Sequence, residues 1–138
     1  MNRKIVLVVA LALIGLAACG GSKDVMREGQ HAMDRWESLV RWSQYDSLID
    51  LMHPEWLAAH PIPRIDLERL KQFRVSQYRV EQVLTDADNL VIQRSVRIHL
   101  YHNHTLRERV ILHVEEWRYD AERERWLLHS GLPDPRRR

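Results

Sequence analysis

The apolar residues of this chain change their spacing once, near Arg74, and this change constrains the fold more than any other feature. Before Arg74 they recur every three to four residues, as on one side of a helix. After it they alternate with polar residues or form β-branched runs, as in strands. Helices followed by strands predict an α+β fold, with N-terminal helices packed on a curved antiparallel sheet of about four strands. The 138 residues, 45% of them apolar, suffice for one such domain.

Three helices are predicted before the change. The first begins at the capping residue Asp24, the second covers Tyr45–Met52 and ends before Pro54, and the third covers Asp66–Phe73. His60–Pro63 is expected to be extended, because proline disfavours helix in the residue before it. The apolar side of the first helix consists of Val25, Ala32, Met33, Trp36, Leu39 and Val40.

Four strands are predicted after the change, over 75–85, 90–101, 106–119 and 125–132. We expect the hairpins to pair His102 with Leu106 and Tyr119 with Arg125. A change of phase after Val80 indicates a bulge in the first strand. Facing residues share one face of a sheet, so these pairings predict the core. Its members would be Ile92, Val96, Ile98, Leu100, Val110, Leu112, Val114, Trp126, Leu128 and Leu132.

Residues 1–18 have the pattern of an export signal, in which Arg3 and Lys4 precede an apolar run. The run from Ile5 to Ala18 has 14 residues, fewer than the roughly 20 that a membrane-spanning helix needs. The tetrad Leu16-Ala17-Ala18-Cys19, at the end of this run, resembles the lipobox of bacterial lipoproteins.

The lipobox resemblance implies that the signal is removed before Cys19, which then carries diacylglycerol and an acyl chain such as palmitate. In the lipoprotein family, Asp directly after the cysteine retains the protein in the inner membrane. This chain has Gly20 there, so the resemblance implies that the protein is located at the periplasmic face of the bacterial outer membrane. The alternative is a secreted protein with a free cysteine. Several acyl chains would give a stable anchor.

The segment after the signal divides into three parts on this interpretation. Residues 19–23 are the lipidated cysteine and a short flexible tether, 24–135 are a single α+β domain, and 136–138 are a basic tail. We expect the tail to be disordered, or to touch anionic lipid. The single cysteine is used by the lipid, so the core alone must hold the fold.

The formal net charge of +2 comes from 21 Lys and Arg against 19 Asp and Glu. Arg3 and Lys4 account for this excess, so the charges after the signal balance. Nucleic-acid binding needs a concentrated basic surface, and nucleic acid is therefore not expected as a partner. The predicted partners are the membrane, through Cys19, and either a second copy of the chain or another envelope protein.

Three local patterns resemble the nuclear-transport-factor-two-like superfamily, whose fold is a cystatin-like roll: Tyr45-Asp-Ser-Leu-Ile-Asp-Leu-Met-His-Pro54, Trp117-Arg-Tyr-Asp120 and Arg125-Trp-Leu-Leu-His-Ser130. The superfamily includes isomerases, cyclases, dehydratases and non-catalytic binding modules, so the likeness does not select an activity. No residue of this chain matches a catalytic motif of the superfamily. We therefore predict no catalytic residue.

Arg94 and Glu116 are polar positions among aliphatic residues on the predicted concave face. They could form an ion pair at the rim of the core. Alternatively, together with Tyr45 and walls from Trp42 and Trp56, they could form the polar end of a small-molecule pocket.

The predicted outer face of the sheet mixes aromatic, aliphatic and arginine residues, a composition found at protein interfaces. The alternative is ordinary exposure of scattered apolar residues. The candidate interface residues are Arg97, Arg109, Ile111, Trp117 and Tyr119.

Eight histidines suggest a metal site, but their positions argue against one. Strand alternation sends His99 and His102 to opposite faces and leaves His104 in a turn. A second cluster, Glu115, His113 and His129, would lie on a flat exposed face without a pocket. No metal and no cofactor are predicted.

Two functions remain on the sequence alone. The first is a non-catalytic binding or assembly module anchored to the outer membrane. The second is a lipid-anchored small-molecule carrier or enzyme. A cavity where Arg94, Glu116 and a helix side chain converge would favour the second, whereas a filled core with an exposed aromatic sheet face would favour the first.

Overall fold

The computed structural model describes residues 21–137, and its α+β architecture confirms the predicted fold class. The signal, Cys19 and Arg138 lie outside the described residues. N-terminal helices pack on one face of a curved antiparallel sheet with strand order β1-β2-β3-β4. The elements are α1 (Gly21–Arg41), a 3-10 helix (Tyr45–Leu51), α2 (Pro54–Ala59), α3 (Arg64–Leu70), β1 (Phe73–Asp86), β2 (Val91–His102), β3 (Glu108–Asp120) and β4 (Arg125–Leu128).

The long helix α1 crosses the concave face from β4 to β1. At its start, the Trp126 indole N–H donates to the Val25 carbonyl at 2.7 Å, and near its end Arg41 donates to the Tyr78 carbonyl at 2.8 Å. Gly29 permits the close approach to β4, because a Cβ there would lie 2.8 Å from the Trp126 ring. Met33, Trp36 and Val40 on the predicted apolar side are buried.

The helix starts three residues earlier than predicted, at Gly21 instead of Asp24. The predicted flexible tether is therefore wrong for residues 21–23, which form the first turn of α1. No helix within the described residues is both long and apolar enough to span a bilayer.

The other helices differ from the prediction mainly around Pro54. This proline begins α2, which was not predicted, because proline lacks an N–H and suits the first position of a helix. The His53 ring accepts from the Glu55 N–H and caps this start. The third helix begins at Arg64, two residues early, and Phe73 belongs to β1.

The predicted bulge after Val80 is confirmed by a register shift between Val80 and Gln82. The predicted registers of the other two hairpins are wrong by one residue. Ile98 faces Ile111 instead of Val110, and Tyr119 faces Trp126 instead of Arg125.

The register error has a local cause in the hairpin turns. Four residues separate the pair that closes each turn, Asp86–Val91, His102–Arg107 and Asp120–Arg125. The last of the four has a positive φ: 52° at Leu90, 55° at Leu106 and 51° at Glu124. None of the three is glycine, so the sequence did not mark the left-handed positions. The β2–β3 turn is one residue longer than predicted and the β3–β4 turn one residue shorter, and either change moves every partner by one position.

A shift of one residue exchanges the two faces of a strand. The predicted core of β2, together with Trp126 and Leu128, is buried as expected, and Leu132 is partly buried. On β3 the prediction is inverted. The concave face holds Ile111, His113, Glu115 and Trp117, while Val110, Leu112 and Val114 are exposed.

Candidate functional site

The three candidate pocket residues do not meet in the folded chain. Arg94 is buried, but its carboxylate partner is Glu115, directly opposite on β3. Glu116 lies on the other face and pairs with Arg118. Tyr45 is buried elsewhere, where its hydroxyl donates to the Phe73 carbonyl at 2.9 Å. The predicted Arg94–Glu116 pair is therefore wrong, because the register differs by one residue.

Glu115 is the centre of a buried polar network on the concave face. Arg94 donates to Glu115 Oε2 through Nε at 2.9 Å and through a terminal nitrogen at 2.7 Å. The Trp117 indole N–H donates to the same oxygen at 2.9 Å, and the Tyr78 hydroxyl donates to Oε1. Burial, and next the negative charge of Glu115, raise the pKa of the Tyr78 hydroxyl far above its usual range. The carboxylate thus has donors on both oxygens.

This network lies inside a packed core. Arg94 also contacts the Met33 carbonyl of α1 at 3.5 Å, and Trp36 packs edge-on against Trp117 with ring centres 5.9 Å apart. Neither of the two cavities described below is lined by Arg94, Glu115 or Tyr45. The network can hold α1, β1, β2 and β3 together, but it offers a substrate no access to its charges.

A second polar cluster joins the helices to the β3–β4 hairpin. His53 Nε2 lies 3.0 Å from Asp120 Oδ2, while His53 Nδ1 accepts from the Glu55 N–H. The backbone N–H of Arg123, followed by its side chain and His53, lowers the pKa of Asp120 to about 2. Both ring nitrogens of His53 are engaged in hydrogen bonds within this cluster. The cluster is suited to fixing the start of α2.

The His129 ring packs against the His53 ring at a tilt of 32°, with ring centres 4.4 Å apart. Burial, and next the neighbouring His53, lower the pKa of His129. His113 lies on the concave face, where burial lowers its pKa to about 4 and its Nε2 has no hydrogen-bond partner among the described residues. The alternative metal cluster is therefore split between two places. Within residues 21–137, no group of three His, Cys, Asp or Glu side chains could hold a metal ion.

The candidate interface does not form one surface. Ile111 and Trp117 are in the core, 1% and 0% exposed, so their assignment to the outer face is wrong. Arg109 lies over the Phe73 ring on the concave side. Tyr119 is half-buried, and its ring centre lies 6.0 Å from that of Trp126. Arg97 alone among the five is on the outer face and exposed, where it pairs with Glu81.

The exposed surface that the register creates is aliphatic and lies along β3. We name Val110, Leu112 and Val114 the β3 stripe; they are 43%, 56% and 49% exposed. Sequence reasoning missed it because it placed all three in the core. Their partners on β2 are polar: His99, Arg97 and Ser95.

The β3 stripe borders an open edge of the sheet. β4 pairs with β3 only over Trp117–Asp120, so the edge from 108 to 116 has no strand partner within the described residues. His129 donates to the Glu116 carbonyl at 2.7 Å, and the Glu116 N–H donates to Ser130 Oγ at 3.2 Å. Alternation along the strand therefore points the N–H and C=O groups of the stripe residues toward this open edge.

Two adjoining cavities of about 480 and 630 Å³ follow this edge, between β3 and the C-terminal segment 130–137. We call them the β3 groove. Pro133 and Pro135 lack N–H groups, and no backbone hydrogen bond in the described chain joins this segment to residues 109–115. The fourth strand, predicted to reach Leu132, ends earlier, at Leu128.

Four arginines and one carboxylate, Glu108, line the end of the β3 groove near the β2–β3 turn. Arg109 donates to the Pro135 carbonyl at 3.0 Å, and Arg136 pairs with Asp134 at 2.9 Å. Arg136 is thus held in a turn, contrary to the predicted disordered tail. Arg107 and Arg137 form no salt bridge with any carboxylate of residues 21–137. This end can attract an anion.

Comparison of the chain with protein-family models, with curated proteins and with solved structures finds no match.

Proposed function

We propose that this protein is a lipoprotein of the outer membrane, anchored through Cys19, whose α+β domain is a non-catalytic module for binding or assembly with another envelope protein. Its surface for that partner is the β3 stripe with the open strand edge beside it. The observation that carries the proposal is the combination of a filled concave face with this exposed aliphatic edge. A monomeric domain usually covers or charges such an edge.

The filled core also argues for a module over the alternative carrier or enzyme. Cystatin-like rolls can hold ligands between helices and sheet, and here that space contains Trp36, Trp117 and the Arg94–Glu115 pair. The polar groups that would orient a small molecule bind one another. A ligand would have to displace a buried, hydrogen-bonded ion pair, which is costly.

The anchor would orient the groove. Cys19 lies two residues before the start of α1, and α1 begins against Trp126 at the Asp120 end of β3. The strand rises about 3.3 Å per residue, so its Arg107 end is roughly 40 Å from that point. The arginine end of the groove would then face away from the membrane, toward a periplasmic partner.

Fractionation of the full-length protein tests the anchor. Wild type should sediment with outer membranes in a sucrose gradient, and Cys19→Ser should not. Gly20→Asp is the matched control, because it should keep the lipid but move the protein to the inner membrane. If Cys19→Ser still sediments with outer membranes at high salt, the proposed anchor is wrong.

Co-purification tests the binding module. Full-length protein from detergent-solubilised envelopes should carry a stoichiometric partner, and Leu112→Lys should lose it, because a charge then interrupts the exposed stripe. Leu84→Lys is the control, since Leu84 is 53% exposed on the opposite edge strand. Recovery of the protein alone, or equal loss in both variants, would contradict the proposal.

A further inference from the structure

We infer that the β3 edge takes up an extended segment of the partner as a fifth, antiparallel strand, with apolar residues at alternate positions and acidic residues at its C-terminal end. This inference rests on the proposed binding function and names the mode of recognition. Backbone pairing would supply affinity and the alternate side chains would supply selectivity, as in other cases of strand addition.

The backbone of β3 supports strand addition. The stripe residues direct three N–H and three C=O groups toward the open edge, and no strand pairs with them within the described residues. The β2–β3 register is continuous from Val91 to Tyr101, so no bulge in β3 twists this edge away. An added strand would therefore find a regular edge about five residues long.

The side chains indicate which segment fits. A strand paired with Val110, Leu112 and Val114 would place its alternate residues beside them on the outer face. Apolar residues there would cover side chains that are now about half exposed. Polar residues at the intervening positions would face the groove, where Asp134 and Ser130 line the wall.

The charges indicate the direction. Arg107 and Arg137 lack salt bridges in the described chain and lie at the N-terminal end of β3. An antiparallel strand brings its C-terminal end to this place, so acidic residues there, or a terminal carboxylate, would meet both guanidinium groups. Every strand pair of this sheet is antiparallel as well.

A second copy of the chain fits the edge poorly. A twofold pairing centred on Leu112 would match Val110 with Val114, but it would also place Glu108 opposite Glu116 at both ends. Like charges directly opposite each other destabilise a strand pair. The arginines would also remain without an anion in that arrangement.

The test uses full-length protein in dodecyl maltoside and a fluorescein-labelled peptide of sequence GTVTVTVDSD, whose two aspartates would lie opposite Arg109 and Arg107 and whose serine would lie opposite Glu108, with binding read by fluorescence anisotropy. We expect saturable binding. N-methylation of the three valines removes the donors that face β3, so it should weaken binding by roughly a hundredfold. N-methylation of the three threonines, whose N–H groups face solvent, should leave binding nearly unchanged.

Protein variants locate the site. Leu112→Pro removes one N–H that points to the open edge and leaves the ladder to β2 intact, so the sheet should survive and binding should fall about tenfold. Arg107→Glu with Arg137→Glu should weaken binding of GTVTVTVDSD and strengthen binding of GTVTVTVKSK. Far-ultraviolet circular dichroism checks the fold, and Leu112→Lys replaces Leu112→Pro if the proline variant does not fold.

Three results would overturn the inference. They are absence of saturable binding, equal effects of the two N-methylated peptides, or a wild-type dimer in sedimentation that Leu112→Pro abolishes. The last result would assign the edge to a second copy. Failure here is distinguishable from failure of the proposed function. A partner that co-purifies with wild type and is lost in Leu112→Lys would keep the binding module even if no peptide adds to β3 as a strand, and fractionation of Cys19→Ser does not depend on the β3 edge.

Discussion

Two ion pairs join neighbouring strands of this sheet, on opposite faces. Arg94 and Glu115 bridge β2 and β3 at 2.7 Å, and their side chains are 4% and 0% exposed. Arg97 and Glu81 bridge β2 and β1 at 2.5 Å, but are 44% and 33% exposed. Distance and chemistry are alike, so the difference between them is the surrounding solvent.

Burial determines how strongly each charged side chain depends on its ion-pair partner. Water can replace either member of the exposed pair, and such pairs contribute little to stability. A buried charge that loses its partner keeps its desolvation cost, which amounts to several kcal/mol. Burial alone would lower the pKa of Arg94, but the adjacent charge of Glu115 raises it overall. The buried pair therefore acts as one unit with Tyr78 and Trp117.

Glu115→Leu should have the largest effect. It leaves the Arg94 guanidinium buried without a counter-charge, and we expect the free energy of unfolding to fall by about 3–5 kcal/mol. Urea denaturation followed by tryptophan fluorescence measures this. The double variant Arg94→Met with Glu115→Leu removes both charges and should recover the part of the loss that comes from the unpaired charge, while the Tyr78 hydroxyl and the Trp117 N–H stay without their acceptor. Equal instability of the single and double variants would mean that packing, and not charge, separates the two pairs.

His113 extends the comparison to a buried group whose Nε2 has no hydrogen-bond partner among the described residues. Unfolded histidine titrates near pH 6.5, whereas burial holds the pKa of folded His113 at about 4. Between these values the unfolded chain binds more protons, so stability is complete above about pH 6.5 and falls as pH drops toward 4, by up to about 3 kcal/mol. Urea midpoints across this range measure the loss.

His113→Phe should remove this pH dependence, because Nε2 has no partner to lose among the described residues. His31→Gln, on the exposed side of α1, is the matched control and should leave the slope unchanged. The low pKa of Asp120 acts in a separate window, since its contribution is lost only as pH falls from about 3.8 toward 2. If the stability of His113→Phe fell with pH as steeply as that of wild type, His113 would not be the group responsible.

Tyr78→Phe should have a smaller effect. It removes the hydroxyl that donates to Glu115 Oε1 and leaves that buried oxygen without this donor, at a cost of about 1–3 kcal/mol. Thermal denaturation measures it. Tyr101→Phe is the control, since Tyr101 is half-buried and makes no side-chain hydrogen bond in the described chain. A loss as large in Tyr101→Phe would show that the measured cost is not that of the Glu115 network.

Glu81→Gln should have the smallest effect. The Arg97 guanidinium remains solvated, so we expect a thermal midpoint equal to that of wild type within the error of the measurement. Any residual difference should disappear in high salt, because solvent-exposed charges are screened. If Glu81→Gln cost as much as Tyr78→Phe, burial would not be what separates the two pairs.

The two pairs also differ in how well the sequence anticipated them. Arg94 stood out as a polar residue among aliphatic ones, and its buried position on the concave face is confirmed. The partner predicted for it, Glu116, was wrong, because the choice between Glu115 and Glu116 depends on the length of the β2–β3 turn, which is one residue longer than predicted. A side chain's own face can be read from alternation within its strand, whereas a partner's identity requires the register between strands.

The same contrast separates β2 from β3. The core of β2 was predicted correctly because its outer positions, such as Gln93 and Ser95, are polar. On β3 both faces carry apolar residues, and the buried one includes His113 and Glu115. The alternation of apolar and polar residues therefore did not indicate which face of β3 is buried, and the β3 stripe on its outer face was not predicted.

The sequence by itself determined the order of helices and strands, the apolar side of α1 and the face of β2, since each depends on residues a few positions apart in one element. Only the tertiary structure decided which face of β3 is buried, which carboxylate meets Arg94 and which strand edge stays open. The physical reason is the turns, where Leu106 and Glu124 take the left-handed conformation without glycine. One residue more or fewer in either turn shifts the register by one position, and this shift exchanges the buried and the exposed face of β3.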